Sequence, residues 1–190
     1  MPPLARASGE IEASMFLDRL FRPRPAQGVG RRLYIRVVDQ SREEALYGPY
    51  AAPDTVEGRF EIYTLHVVLA LDRLRGQGER AGEVSQALFD TYVQALDDAL
   101  REMGVGDLSV GKKMRKLGEA FYGRVRSYEA AFAALPDTEG LEALLERTVY
   151  AEAGAAHAAK LAAYVVAQRE ALAAQPLDRL LEGQIAWPAP

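Results

Sequence analysis

Residues 109–135 read SVGKKMRKLGEAFYGRVRSYEAAFAAL, and within them Val110, Met114, Leu117, Phe121, Val125, Tyr128, Phe132 and Leu135 follow one another at steps of three or four. That spacing lays every one of these side chains on a single face of an α-helix. Lys112, Lys113, Arg115 and Lys116 interleave with Met114 and Leu117, so their charged heads edge a helix that is buried on its other side. Alanine is abundant in the chain and β-branched residues are sparse outside a few helical runs, which favours an all-α fold over a sheet-based one.

The same period recurs on both sides of this stretch. Upstream, residues 83–103 place Val84, Leu88, Tyr92, Ala95, Leu96, Ala99, Leu100 and Met103 on one face, with Gln86, Asp90, Gln94, Asp97, Asp98 and Arg101 opposite. Glycines 104 and 106 break that helix, and Ser109 is a candidate cap for the next. Residues 56–75 predict a deeply buried helix, because Leu65, Val68 and Leu69 widen the face made by Phe60, Tyr63, Thr64, Val67, Leu71 and Leu74. Asp54 or Thr55 caps it, and Glu57 stands three residues after Asp54 as a capping box requires. A helix over 31–47 ends at Gly48-Pro49; others are expected over 138–151 and over the alanine-rich 155–173, which a neighbour can approach closely.

The expected organisation is a single compact bundle of six or seven helices over residues 31–175. It is preceded by a flexible Pro/Gly-rich lead, residues 1–30, carrying a short docking helix with Met15, Phe16 and Leu20 inward. Residues 176–190 read as a C-terminal tail with a short turn or helix, whose Trp187 either docks on the body or is exposed. Connections inside the bundle are only a few residues long, as helical bundles require.

The inventory for chemistry is thin. The 190 residues include no cysteine and two histidines, and 23 basic against 27 acidic side chains give a net charge of −4. Disulfide frameworks, thiolate nucleophiles, iron–sulfur clusters and sulfur-ligated zinc are thereby excluded. His66 sits in an apolar helix and reads as a satisfied interior or groove-lining histidine; His157 lies among alanines. No nucleophile, base and orienting group come together, and residues 104–113 lack the spacing of a phosphate-binding loop. No catalytic residue, cofactor or metal is assigned, and no enzyme activity is expected. The longest apolar run, 62–71, is about half of what crosses a bilayer, and residues 1–10 lack the features of a secretory signal, so a cytoplasmic location is expected.

Charge is unevenly spread. Residues 101–126 contain seven basic and three acidic side chains, a local balance of 7 − 3 = +4. The run is either the solvated face of an amphipathic helix or a contact surface for an acidic protein, an anionic lipid or RNA. Four basic groups near a helix start oppose its positive dipole end, and a bound anion would offset that. Phe60, Tyr63, Phe89, Tyr92, Phe121, Tyr122, Tyr128 and Phe132 supply core and groove rims; consecutive Phe121 and Tyr122 do not both occupy one buried stripe, so one faces outward.

Several ordered strings go beyond periodicity: PDTVEGRFE at 53–61, LHVVL at 65–69, SQALFD at 85–90, LREMGVGDLSVGKK at 100–113 and FYGR at 121–124. Together they resemble the ubiquinol–cytochrome c chaperone family, over roughly residues 31–175, in a bacterial form. The resemblance implies an all-helical, non-enzymatic assembly factor for the cytochrome bc1 complex, acting on newly made cytochrome b. Mitochondrial relatives work with a small partner protein, associate with the ribosomal tunnel exit and the inner membrane, and hold cytochrome b while haem is added. This chain is short, with no evident presequence or anchor, so the small partner and the ribosome are not carried over to it. The expected partner is a protein client, cytochrome b, with peripheral contact at the inner face of the cytoplasmic membrane and no nucleic acid. Candidate client or membrane contacts are Asp54, Arg59, His66, Lys112, Lys113, Arg115, Lys116, Phe121, Tyr122 and Arg124. The alternative is an RNA- or ribosome-binding helical module that uses the basic helix around 112–126.

Overall fold

The structure, a computed structural model, describes residues 25–151 and 154–190. The docking helix expected near residues 15–21 lies outside them. Among the described residues there are eight α-helices and no strand: α1 Pro25–Ser41, α2 Glu44–Tyr47, α3 Val56–Leu74, α4 Glu79–Glu102, α5 Asp107–Ala133, α6 Glu139–Thr148, α7 Ala158–Ala174 and α8 Leu177–Leu181. A 3-10 turn, Ala155–His157, leads into α7. No helix among them is long and apolar enough to cross a membrane.

Helix α3 is the hub. Residues 64 to 70 are all buried, and α1, α4, α5 and α7 all pack on it. A helix apolar on nearly every side must be surrounded, and each fully buried Leu or Val on it contributes about 1.5–3 kcal/mol relative to an exposed position. Its N-cap is Thr55, whose Oγ1 accepts the Gly58 N–H at 3.1 Å. The cap at Thr55 puts Gly58, and not Glu57, at the third helical position, so the expected capping box does not form. Asp54 instead pairs with Arg59.

Helix α1 begins at Pro25, inside the stretch expected to be a flexible lead, and takes in Gly28 and Gly30. The reason is close packing: a Cβ at Gly30 would lie 2.5 Å from the Ala87 carbonyl carbon of α4. The glycine costs about 1 kcal/mol of helix propensity, which the intimate α1–α4 contact offsets. The single helix expected over 31–47 is split in two by a turn at Arg42 and Glu43, where Tyr47 Oη donates to the Ser41 carbonyl at 2.8 Å. Helices α4 and α5 start at Glu79 and Asp107, with Gly78 and Gly106 as their N-caps in place of the expected Ser109.

The C-terminal segment is part of the body. Leu180, Leu181 and Ile185 are buried, and Gln175 clasps Ala186, its Nε2 donating to the carbonyl at 2.7 Å and its Oε1 accepting the N–H at 2.9 Å. The Pro188 carbonyl accepts from Gln40 Nε2 at 3.2 Å and Gln168 Nε2 at 3.0 Å, and the Trp187 ring stands edge-on to His66 at 5.4 Å. Trp187 therefore docks. Partly buried ion pairs tie the layers: Arg124 of α5 meets both carboxylate oxygens of Glu61 on α3, at 2.8 and 2.7 Å, and Arg169 of α7 meets Asp72 at 2.8 Å.

Candidate functional site

The glycine-rich turn after α3 sets the two long helices α4 and α5 apart from its C-terminal end. Gly76 and Gly78 adopt φ of 69° and 93°, conformations that glycine reaches without steric cost. The result is an open groove of about 420 Å³, floored by Leu71, Leu74, Phe89, Phe121 and Val125 and rimmed by Arg75, Gln86 and Tyr122. Its aromatic side chains form one cluster: Phe89 lies 5.1 Å from Phe121 and 5.8 Å from Tyr122 between ring centroids, and Tyr92 lies 5.2 Å from Phe121. Of the consecutive pair, Phe121 is 3% exposed and Tyr122 is 57% exposed. Such a side chain presents a large, stiff apolar surface with a polar tip to the solvent.

Nearer the N-terminus of α5 lies the basic turn. Seven residues of helix return to within about 20° of the starting direction, so Arg115 shares the exposed stripe of Tyr122. Gly118 lies between them, and a Cβ there would meet nothing within 4 Å. Lys112, Lys113, Arg115 and Lys116 are all exposed, and among the described residues they make no hydrogen bond or ion pair. Their charge is left for solvent or a partner.

The other candidates fall elsewhere. Asp54 and Arg59 pair at the opposite end of α3, where the Arg59 guanidinium also lies 4.9 Å over the Tyr47 ring. They brace the entry to α3 and do not reach the groove. Arg124 is committed to Glu61, and that hydrogen-bonded carboxylate holds its pKa above the ordinary guanidinium value. His66 is fully enclosed. Its Nδ1 donates to the Ile62 carbonyl at 2.8 Å, so Nε2 is the acceptor for Tyr164 Oη, also at 2.8 Å, and that hydroxyl in turn accepts from Gln40 Nε2 at 2.9 Å. Burial lowers its pKa to about 4, which keeps the ring neutral and the network satisfied. His66 is thus a structural tie beneath Trp187, and neither it nor Phe121 forms an outer contact surface.

Phe89 was among the aromatics expected at a groove rim, but sequence spacing missed Leu71 and Arg75, which line the same groove as Tyr122. The available signal was the Gly76/Gly78 break, which sets how α3 hands over to α4. Among the described residues no three His, Asp or Glu side chains converge as a metal site. The arrangement offers apolar contact flanked by uncompensated positive charge.

Known proteins match at every level. The crystal structure of the Cbp3 homolog from Brucella abortus superposes with a TM-score of 0.79 at 34% identity, covering 90% of this chain and 96% of that one. Ubiquinol-cytochrome c reductase complex assembly factor 1 from Homo sapiens is 27% identical over 159 residues, which are 82% of this chain and 52% of that protein. The Mus musculus protein of the same name is 26% identical over 159 residues, 82% of this chain and 53% of its own length. The chain thus spans about half the length of these relatives. The family model described as Ubiquinol-cytochrome C chaperone matches residues 50–187, from the end of the α2 turn to the docked tryptophan. With most of its length under that match, the chain belongs to the ubiquinol-cytochrome c chaperone family.

Proposed function

We propose that this protein is a non-enzymatic chaperone in assembly of the cytochrome bc1 complex, with cytochrome b as its client. The observation that carries the reading is the juxtaposition on α5: Tyr122, 57% exposed, borders an apolar groove of about 420 Å³, and about two to three turns away stands a cluster of lysines and arginine that make no hydrogen bond or ion pair among the described residues. Apolar client surface would bury against Phe89, Tyr122 and Val125 while acidic client loops meet the basic turn, which steers encounter more than it adds affinity. The site asks for no covalent step. The protein works peripherally at the inner face of the cytoplasmic membrane, where such a client emerges. Family membership supports the assembly role; the RNA reading of the same turn accounts for its charge but leaves the apolar groove unused, and is not carried further.

The test is deletion of the gene in its host, with reduced-minus-oxidised spectra of the membranes and capture of tagged cytochrome b on the purified protein. The expected outcome is a depleted cytochrome b signal, restored by the wild-type gene and not by a Tyr122→Asp variant that folds normally. Normal cytochrome b assembly in the deletion strain would sink the proposal.

A further inference from the structure

A second groove, about 840 Å³, lies away from α5, between α1 and the C-terminal segment. Every titratable side chain lining it is an arginine: Arg32, Arg36 and Arg179. A local charge of +3 with no acid in the lining stands out in a chain whose net charge is −4. The floor between these groups is apolar, made by Ile35, Pro176 and Ile185, and Ile35 is 49% exposed.

The arginines are held in place with donors to spare. Arg32 donates through Nε to the Glu182 carbonyl at 3.0 Å, and its side chain lies across Gly183, where a Cβ would sit 2.7 Å from that Nε. Gly183, at φ 82°, is what lets the guanidinium lie flat there. Arg179 is steadied by Gln184 through Nη1, and Arg36 has only a long contact of 3.9 Å to exposed Asp39. A guanidinium offers five N–H donors in a planar fork that matches phosphate oxygens, so most of the donor capacity here points to an anion.

We infer that this groove seats the phosphate headgroup of an anionic phospholipid, with Ile35 entering the acyl boundary. Three features favour a lipid over an acidic peptide. The α1 side of the groove runs only from Arg32 to Arg36, about 6 Å of helix, which is short for an extended chain but sufficient for one headgroup. Its charged groups are all arginine, the side chain suited to phosphate. An exposed isoleucine flanked by cations is the pattern of a membrane-surface contact. The inference rests on the peripheral-membrane reading above and assigns the lipid face to the arginine groove instead of the lysine turn of α5, none of whose residues lines it.

The test is flotation of the full-length protein with phosphatidylcholine vesicles, with and without phosphatidylglycerol. Expected is partition onto the phosphatidylglycerol vesicles only, weakened about 25-fold in the Arg36→Gln/Arg179→Gln double variant, at about fivefold per basic residue. Ile35→Asp, which leaves all three arginines in place, weakens partition as well. A Lys112→Gln/Lys113→Gln/Lys116→Gln variant keeps it within about twofold. Both arginine positions are exposed, and unchanged thermal unfolding of the variants confirms their fold. Failure of the wild type to float on either vesicle overturns the membrane reading and the inference together. Flotation that survives loss of the arginines but not of the lysines overturns the inference alone. Binding of a glutamate-rich peptide that requires Arg36 and Arg179, with vesicle partition unchanged in their absence, overturns the lipid in favour of a protein.

Discussion

Two basic regions, the lysine turn of α5 and the arginine groove between α1 and the C-terminal segment, are built differently. The lysine turn of α5 is a local run: Lys112, Lys113, Arg115 and Lys116 are exposed on one helix and make no hydrogen bond or ion pair among the described residues. The arginine groove joins Arg32 and Arg36 to Arg179, across almost the whole chain, and two of its three guanidiniums are braced by hydrogen bonds to the C-terminal segment. Flexible lysines on a helix surface suit steering toward a changeable partner; braced arginines over an apolar floor suit recognition of a compact anion. Charge alone does not distinguish the two regions, but the packing beneath them does.

The contrast predicts unequal sensitivity. Removal of residues 176–190 deletes buried Leu180, Leu181 and Ile185 and uncovers His66, so it should dismantle the arginine groove and cost more than about 5 kcal/mol in urea unfolding. Survival of the truncated chain with near-native stability would mean that the segment is an appendage. Gly30→Val forces a side chain into the Ala87 backbone and should cost about 3 kcal/mol by the same measurement. It loosens α1, and with it the arginine groove, while leaving the α5 turn untouched.

His66 provides a pH readout of the same end of the molecule. Its folded pKa is lowered to about 4 from an ordinary 6.5, so between those values the unfolded chain takes up a proton that the folded one refuses. Its contribution is therefore neutral above pH 6.5, stability falls as pH drops toward 4, and the loss levels off below that at up to about 3 kcal/mol. A His66→Gln variant should show a shallower decline over this window; an identical decline would place the titrating group elsewhere. The smallest stability effect is expected on the α5 side. Tyr122→Asp and Lys112→Glu/Lys113→Glu/Lys116→Glu should each change unfolding free energy by no more than about 0.5 kcal/mol. Their capture of cytochrome b should fall about tenfold, and the wild-type capture rate should decline with added salt.

Long-range order accounts for what the residues disclosed and what they did not. The steps from Val110 to Leu135 and the apolar breadth of 62–71 are local patterns, and the helices they predicted, α5 and the central α3, are where spacing put them. Gly28 and Gly30 carried a local signal for a break, and the close approach of α4 overrode it. The sequence showed that Phe121 and Tyr122 must part company, without saying which one would be buried; the position of Phe89 and Tyr92 on α4 settles it. The ten candidate contacts drawn from matching strings scatter for the same reason. Arg124 and His66 belong to internal ties with partners 63 and 98 residues away, and such partners leave no trace in local spacing.

Helical class, the absence of thiol chemistry and the placement of a positive cluster in a negative chain follow from residue types and their period, because those properties depend on neighbours within a turn or two. The docking of Trp187, the enclosure of His66 and the meeting of Arg32 with Arg179 depend on which helices lie side by side. That is a property of the packed core, where burial and hydrogen-bond satisfaction over the whole chain select one arrangement.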